Sequence, residues 1–112
     1  MSEMMTGKKA ILEMLKAEGI KHIFGNPGTS EGPLIDILGD YPELQYILAL
    51  QESVAVSMGE AYARATGTAS FVSLHVDNGL ANGINLMLDA QRTGTPMVIL
   101  SANYDIRKVA EG

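Results

Sequence analysis

Three polar features of this chain could do chemistry: a glutamate, a histidine and a glycine-rich turn. Glu52 ends an otherwise apolar run, Tyr46-Ile47-Leu48-Ala49-Leu50-Gln51-Glu52. A carboxylate set against apolar surface resists standing as a bare anion, so it reads as a group that can hold and pass a proton. A glutamate in the first turn of a helix is the plainer reading. His75 follows Ser70-Phe71-Val72-Ser73-Leu74 and precedes Val76-Asp77-Asn78-Gly79. Its imidazole could serve as an acid–base group or simply be a hydrogen-bonded core histidine. Asp77 and Asn78 are expected to cap the helix that follows. Gly25-Asn26-Pro27-Gly28-Thr29-Ser30 comes after Ile20-Lys21-His22-Ile23-Phe24. Such a turn exposes main chain to a ligand at a positive helix end, although Gly and Asn-Pro are also ordinary turn residues.

These features must be positioned by the elements around them. Four short apolar segments read as buried strands: Ile20–Phe24, Gln45–Leu50, Ala69–His75 and Pro96–Ala102. Each is bounded by turn-forming residues. Helical patterns lie before the first strand and between each pair. The first is expected to be capped by Thr6, to bury Ile11, Leu12, Met14 and Leu15, and to end at Gly19. The second is expected to be capped by Ser30, with Glu31 and Pro33 in its first turn and Leu34, Ile35 and Leu38 inward. The third runs from about Ser53 to Ala65 and closes at Gly67, and the fourth covers about Leu80 to Gln91 and stops near Gly94. Strand–helix alternation of this length implies right-handed crossovers and a parallel sheet. Ligands of such sheets bind outside the carboxyl ends of the strands, where all three polar features fall. Along the third helix Ala55, Gly59 and Ala63 form a smooth ridge, suited either to tight packing on its own sheet or to a subunit interface.

The bulk properties narrow the field. A chain of 112 residues, 46% apolar and 19% charged, makes one domain that can bury roughly two-thirds of its unfolded surface. A net charge of −5 with no basic stripe argues against nucleic acid. No cysteine is present, which excludes disulfides and thiolate metal sites. No apolar run reaches membrane-spanning length, and Met1-Ser2-Glu3-Met4-Met5 has no signal-peptide pattern. A cytoplasmic protein is expected. One rival reading gives Glu52 to the ribose of a dinucleotide, but the glycines at 25, 28 and 32 miss the G-x-G-x-x-G spacing. The other rival is a non-catalytic interaction module, expected if Glu52 and His75 face different ways.

The ordered set Ile23-Phe24-Gly25-Asn26-Pro27-Gly28, Tyr46 through Glu52, and Leu74-His75 resembles the N-terminal, pyrimidine-binding domain of thiamine diphosphate-dependent enzymes. Within that family it looks most like the benzoylformate decarboxylases. Gly59-Glu60-Ala61-Tyr62-Ala63 and Asn82 add to the likeness, which spans residues 1–112. The resemblance implies an α/β fold, a three-layer α/β/α domain with parallel strand order 2-1-3-4, incomplete at its C-terminus. It also implies the N-terminal part of a 2-oxo acid decarboxylase or carboligase, acting with thiamine diphosphate and magnesium.

Roles carry over residue by residue. Glu52 resembles the glutamate that bonds the aminopyrimidine ring nitrogen and activates the cofactor. His75 resembles an active-site histidine of the decarboxylases, one that acetolactate synthases typically lack. Thr29 falls at a substrate-facing position, and Pro27, Gly28 and Asn82 at positions lining the cofactor. The Gly-Asp-Gly…Asn-Asn motif that holds magnesium and diphosphate is not among these residues. The implied partners are therefore a diphosphate-binding domain of the same or another chain, a small 2-oxo acid, and further copies in a homo-oligomer; this chain alone is expected to be inactive. Two stretches depart from the benzoylformate decarboxylase pattern. Val76-Asp77-Asn78 replaces small residues, and Ser101-Ala102-Asn103-Tyr104 stands where many relatives end the fourth strand in Gly-Gln.

Overall fold

The computed structural model describes residues 4–111; Met1, Ser2 and Glu3 of the N-terminal stretch considered above lie outside them. Helix α1 (Gly7–Ala17) leads into β1 (His22–Asn26), a 3-10 turn (Thr29–Glu31) and a short α2 (Gly32–Asp36). A second 3-10 turn (Leu38–Asp40) precedes β2 (Gln45–Leu48) and α3 (Glu52–Thr66). Then come β3 (Ser70–Leu74), α4 (Val76–Thr93), β4 (Met97–Ser101) and α5 (Ile106–Glu111). The four strands are parallel in the order β2-β1-β3-β4, as the resemblance implied.

Alternating residues of the central strands serve opposite layers, because side chains on a strand point to the two faces in turn. Ile23 and Phe71 pack with Leu12 and Leu15 of α1, Leu34 of α2, and Tyr41 and Leu44. Phe24, Val72 and Leu74 pack on the other face with Ala55 and Val56 of α3. All of β3 is buried, whereas β2 is half exposed. That departs from the sequence reading of β2 as a buried strand reaching Leu50. It lies at the sheet edge and ends at Leu48, leaving Leu48 and Leu50 in the open.

The small-residue ridge of α3 packs inward. Ala55, Gly59 and Ala63 are buried, and a methyl group on Gly59 would run into the Val72 side chain on β3. Helices α3 and α4 stop at Gly67 and Gly94, whose φ of 68° and 67° are left-handed values that favour glycine.

Other helix details differ from expectation. Met14 is exposed, being one step off the stripe formed by Leu12 and Leu15. Thr6 stands at the N-cap of α1 without a side-chain bond. Ser30 lies inside the 3-10 turn and caps nothing. Helix α4 starts at Val76, directly after His75, so Asp77 and Asn78 belong to its first turn instead of capping it. Val76 takes φ 35°, an uncommon conformation for a β-branched residue.

Candidate functional site

The strand register places Asn26 beside Leu74 and Leu74 beside Ser101, so the residues after β1, β3 and β4 emerge along one carboxyl edge. Glu52 is the first residue of α3, half-buried at that edge. Its surroundings are more polar than the sequence suggested. Asn26 at the end of β1 donates its side-chain amide to Glu52 Oε1 at 3.1 Å. Asn82, on the exposed side of α4, donates to Oε2 at 3.1 Å. The carboxylate is thereby held in one orientation by two elements other than its own. Ser53 ties the same helices together, its hydroxyl donating to the Asn82 carbonyl at 2.8 Å.

Glu52 and His75 converge across Gly79. A Cβ at that position would sit 3.4 Å from both Glu52 Cγ and His75 Cβ. The two candidate groups thus flank Gly79 at the same edge of the sheet. Gly28 lies against the His75 imidazole so closely that a methyl group there would occupy the ring's space. Pro27 precedes it, half-buried, and Thr29 follows it on the exposed side of the turn.

The sequence reading missed Glu31 as a site residue. Its side chain is 4% exposed, and Oε2 lies 2.8 Å from His75 Nδ1. The same oxygen accepts the Gly28 backbone amide at 2.8 Å. An imidazole nitrogen facing a carboxylate carries the hydrogen, which leaves Nε2 as the nitrogen free to act. Glutamate three residues after the turn glycine is the spacing at which a side chain reaches back to a helix-start amide, and that was the available signal.

Beneath this pair lies a buried polar patch. Tyr46 crosses β1 at Gly25, its hydroxyl so near that only a residue without Cβ fits there. Burial pushes the Tyr46 phenol up to about 12; the Ser73 hydroxyl beside it acts in the opposite sense, and the Glu31 charge adds to the rise. Tyr46 Oη, Ser73 Oγ and Glu31 Oε1 are buried without a hydrogen bond of good geometry. A separate apolar cavity of about 600 Å³ among Leu15, His22, Tyr62, Phe71 and Val98 opens near the amino ends of the strands. It shares no residue with the polar edge.

Comparison with known proteins decides the family. The model of the thiamine pyrophosphate enzyme, N-terminal TPP binding domain matches residues 5–112. The chain belongs to this family. It is 37% identical over 107 residues to the benzoylformate decarboxylase of Pseudomonas aeruginosa, covering 95% of this chain and 20% of that protein. It is 32% identical over 97 residues to the acetolactate synthase large subunit of Haemophilus influenzae, covering 87% and 17%. Among solved structures, the thiamine diphosphate-dependent 4-hydroxybenzoylformate decarboxylase of Rhodococcus jostii RHA1 aligns with a TM-score of 0.88 at 28% identity, over 96% of this chain and 20% of that one. The benzoylformate decarboxylase of Polynucleobacter necessarius aligns with a TM-score of 0.86 at 26% identity, over 97% and 20%. This TPP-binding domain thus spans a fifth or less of the length of the relatives it matches. Among the described residues, no helix is long and apolar enough to cross a membrane.

Proposed function

We propose that this domain forms the pyrimidine side of a thiamine diphosphate site in a 2-oxo acid decarboxylase or carboligase. The observation that carries the reading is the Glu52 carboxylate, held by the Asn26 and Asn82 amides at the carboxyl edge of the sheet. The residues present fit the cofactor: a carboxylate aimed by two amides, and beside it an imidazole seated on a glycine turn. Glu52 would bond a nitrogen of the aminopyrimidine ring and exchange a proton there. Gly28, Pro27 and Asn82 would line the ring. As the imidazolium, with Glu31 accepting the Nδ1 hydrogen, His75 would deliver its Nε2 proton to the oxo oxygen of the substrate and so return to the neutral ring, with Thr29 facing the substrate from the turn. Bound thiamine diphosphate supplies the electron sink that decarboxylation of a 2-oxo acid requires.

Magnesium and the diphosphate would be held by another domain, of the same or a second chain. Leu50, Val54, Ile84 and Leu88, exposed on and beside α3 and α4, offer apolar surface for such a partner in a homo-oligomeric enzyme. The test is Glu52→Gln in the enzyme assembled with its diphosphate-binding domain. The amide keeps the shape but cannot supply the proton, so hydrogen–deuterium exchange at C2 of the bound cofactor should be lost with the fold intact. Exchange at the wild-type rate would remove Glu52 from the mechanism.

A further inference from the structure

The two stretches that depart from the benzoylformate decarboxylase pattern meet in space. Ser101, at the end of β4, donates its hydroxyl to the Val76 carbonyl at 2.9 Å. Tyr104 Oη lies 3.4 Å from Asp77 Oδ1, a weaker second tie from the same segment to the same turn. Between β3 and α4 only His75 is left as a linker, since β3 ends at Leu74 and α4 starts at Val76. The turn is abrupt, and Val76 takes it with φ 35° and a fully buried side chain. A β-branched residue does not hold such a conformation unless its surroundings impose it. The surroundings here are the buried Val76 side chain on one hand and the Ser101 bond to its carbonyl on the other. The His75 carbonyl is fixed as well, accepting the Gly79 amide at 2.8 Å. The imidazole that leaves this turn is consequently aimed at Glu31 with little backbone freedom.

We infer that Ser101, seconded by Tyr104, is a positioning residue that clamps the strained turn at Val76 and so keeps the His75 imidazole against Glu31. The inference rests on the assignment of His75 to the substrate side of the site. Its consequence is that the fourth-strand terminus sets the place of the acid–base group through the backbone at Val76.

The purified chain provides the test by nitrogen NMR of the histidine side chains. In Ser101→Ala the clamp is gone, and the hydrogen on His75 Nδ1 should exchange with solvent roughly tenfold faster, the scale of one lost hydrogen bond. The His75 nitrogen shifts should move toward those of a Glu31→Gln chain. Ser101→Thr keeps a hydroxyl and should restore the wild-type signature. If the alanine chain does not fold, Ser101→Cys preserves side-chain size with a weak donor and should show the same loosening. Wild-type shifts and exchange in the alanine or cysteine chain would overturn the inference, as would equal loosening in the threonine chain. No cofactor enters these readouts. A wild-type signature therefore sinks the clamp alone, and a failed cofactor test with a loosened histidine sinks the Glu52 assignment alone.

Discussion

Glu31 Oε2 lies 2.8 Å from His75 Nδ1 although 44 positions separate the two residues. One buried carboxylate thus sets the histidine tautomer and, through the Gly28 amide, anchors the turn beside it. Replacing His75 by alanine leaves that carboxylate with a single donor. The chain should lose about 1–3 kcal/mol of stability, read from urea unfolding. In the assembled enzyme His75→Ala should lower turnover by about 10²–10⁴ and spare cofactor activation. A loss below about tenfold with unchanged pH dependence would make His75 a core histidine.

Gly28→Ala tests the contact from the other side. The added methyl meets the His75 ring, which must move off Glu31 or force the turn outward. Overpacking of this kind costs about 1–3 kcal/mol. Urea unfolding should show that loss together with displaced His75 ring resonances. An alanine chain as stable as wild type with unmoved ring signals would mean the turn has slack.

Tyr46 gives a pH dependence with a definite sign. The folded chain keeps the phenol protonated up to about 12, above its usual value of 10. The folded state therefore binds the proton more tightly than the unfolded one. The associated stability is complete below about pH 10 and is lost as pH rises through about 12. After discounting for partial exposure, the loss amounts to about 1–2 kcal/mol. Tyr46→Phe should flatten the decline in urea stability between about pH 9 and 12. An unaltered decline in the phenylalanine chain would assign it to other groups.

The open edge of the sheet bears on the isolated chain. Among the described residues strand β4 bonds only to β3, and Val98 on it is 53% exposed. An unpaired apolar edge recruits another strand, and each side chain covered adds roughly 1.5–3 kcal/mol. Light scattering of the purified chain should show dimers or larger species, and Val98→Lys should shift them toward monomer. The chain by itself should have no decarboxylase activity. A stable wild-type monomer would show that the edge is adequately protected.

The architecture was legible because parallel strands write themselves as short apolar runs and the two longest helices end at a glycine, Gly67 and Gly94. Edge position was not legible: Leu48 and Leu50 look like core in a pattern that does not say which strand lies outermost. The onset of α4 was misplaced because Asp77 and Asn78 resemble caps, while the contacts that set the turn at Val76 come from β4. Glu52, His75, Gly28 and Asn82, singled out in the sequence, come together at one edge. The partners that aim them, Asn26 and Glu31, were passed over as turn and helix-start residues, since their bonds are tertiary.

In the proposed function Glu52, held by Asn26 and Asn82, receives the pyrimidine of thiamine diphosphate. The most direct measurement is an NMR titration of the nitrogen-labelled chain with thiamine diphosphate and magnesium, with NAD as the comparison ligand. Binding should be weak, because the Gly-Asp-Gly…Asn-Asn motif is not among these residues, yet shifts should concentrate at Asn26, Gly28, Glu52 and Asn82 and vanish in Glu52→Gln. Shifts produced by NAD and not by thiamine diphosphate, or shifts that persist in the glutamine chain, would contradict the account.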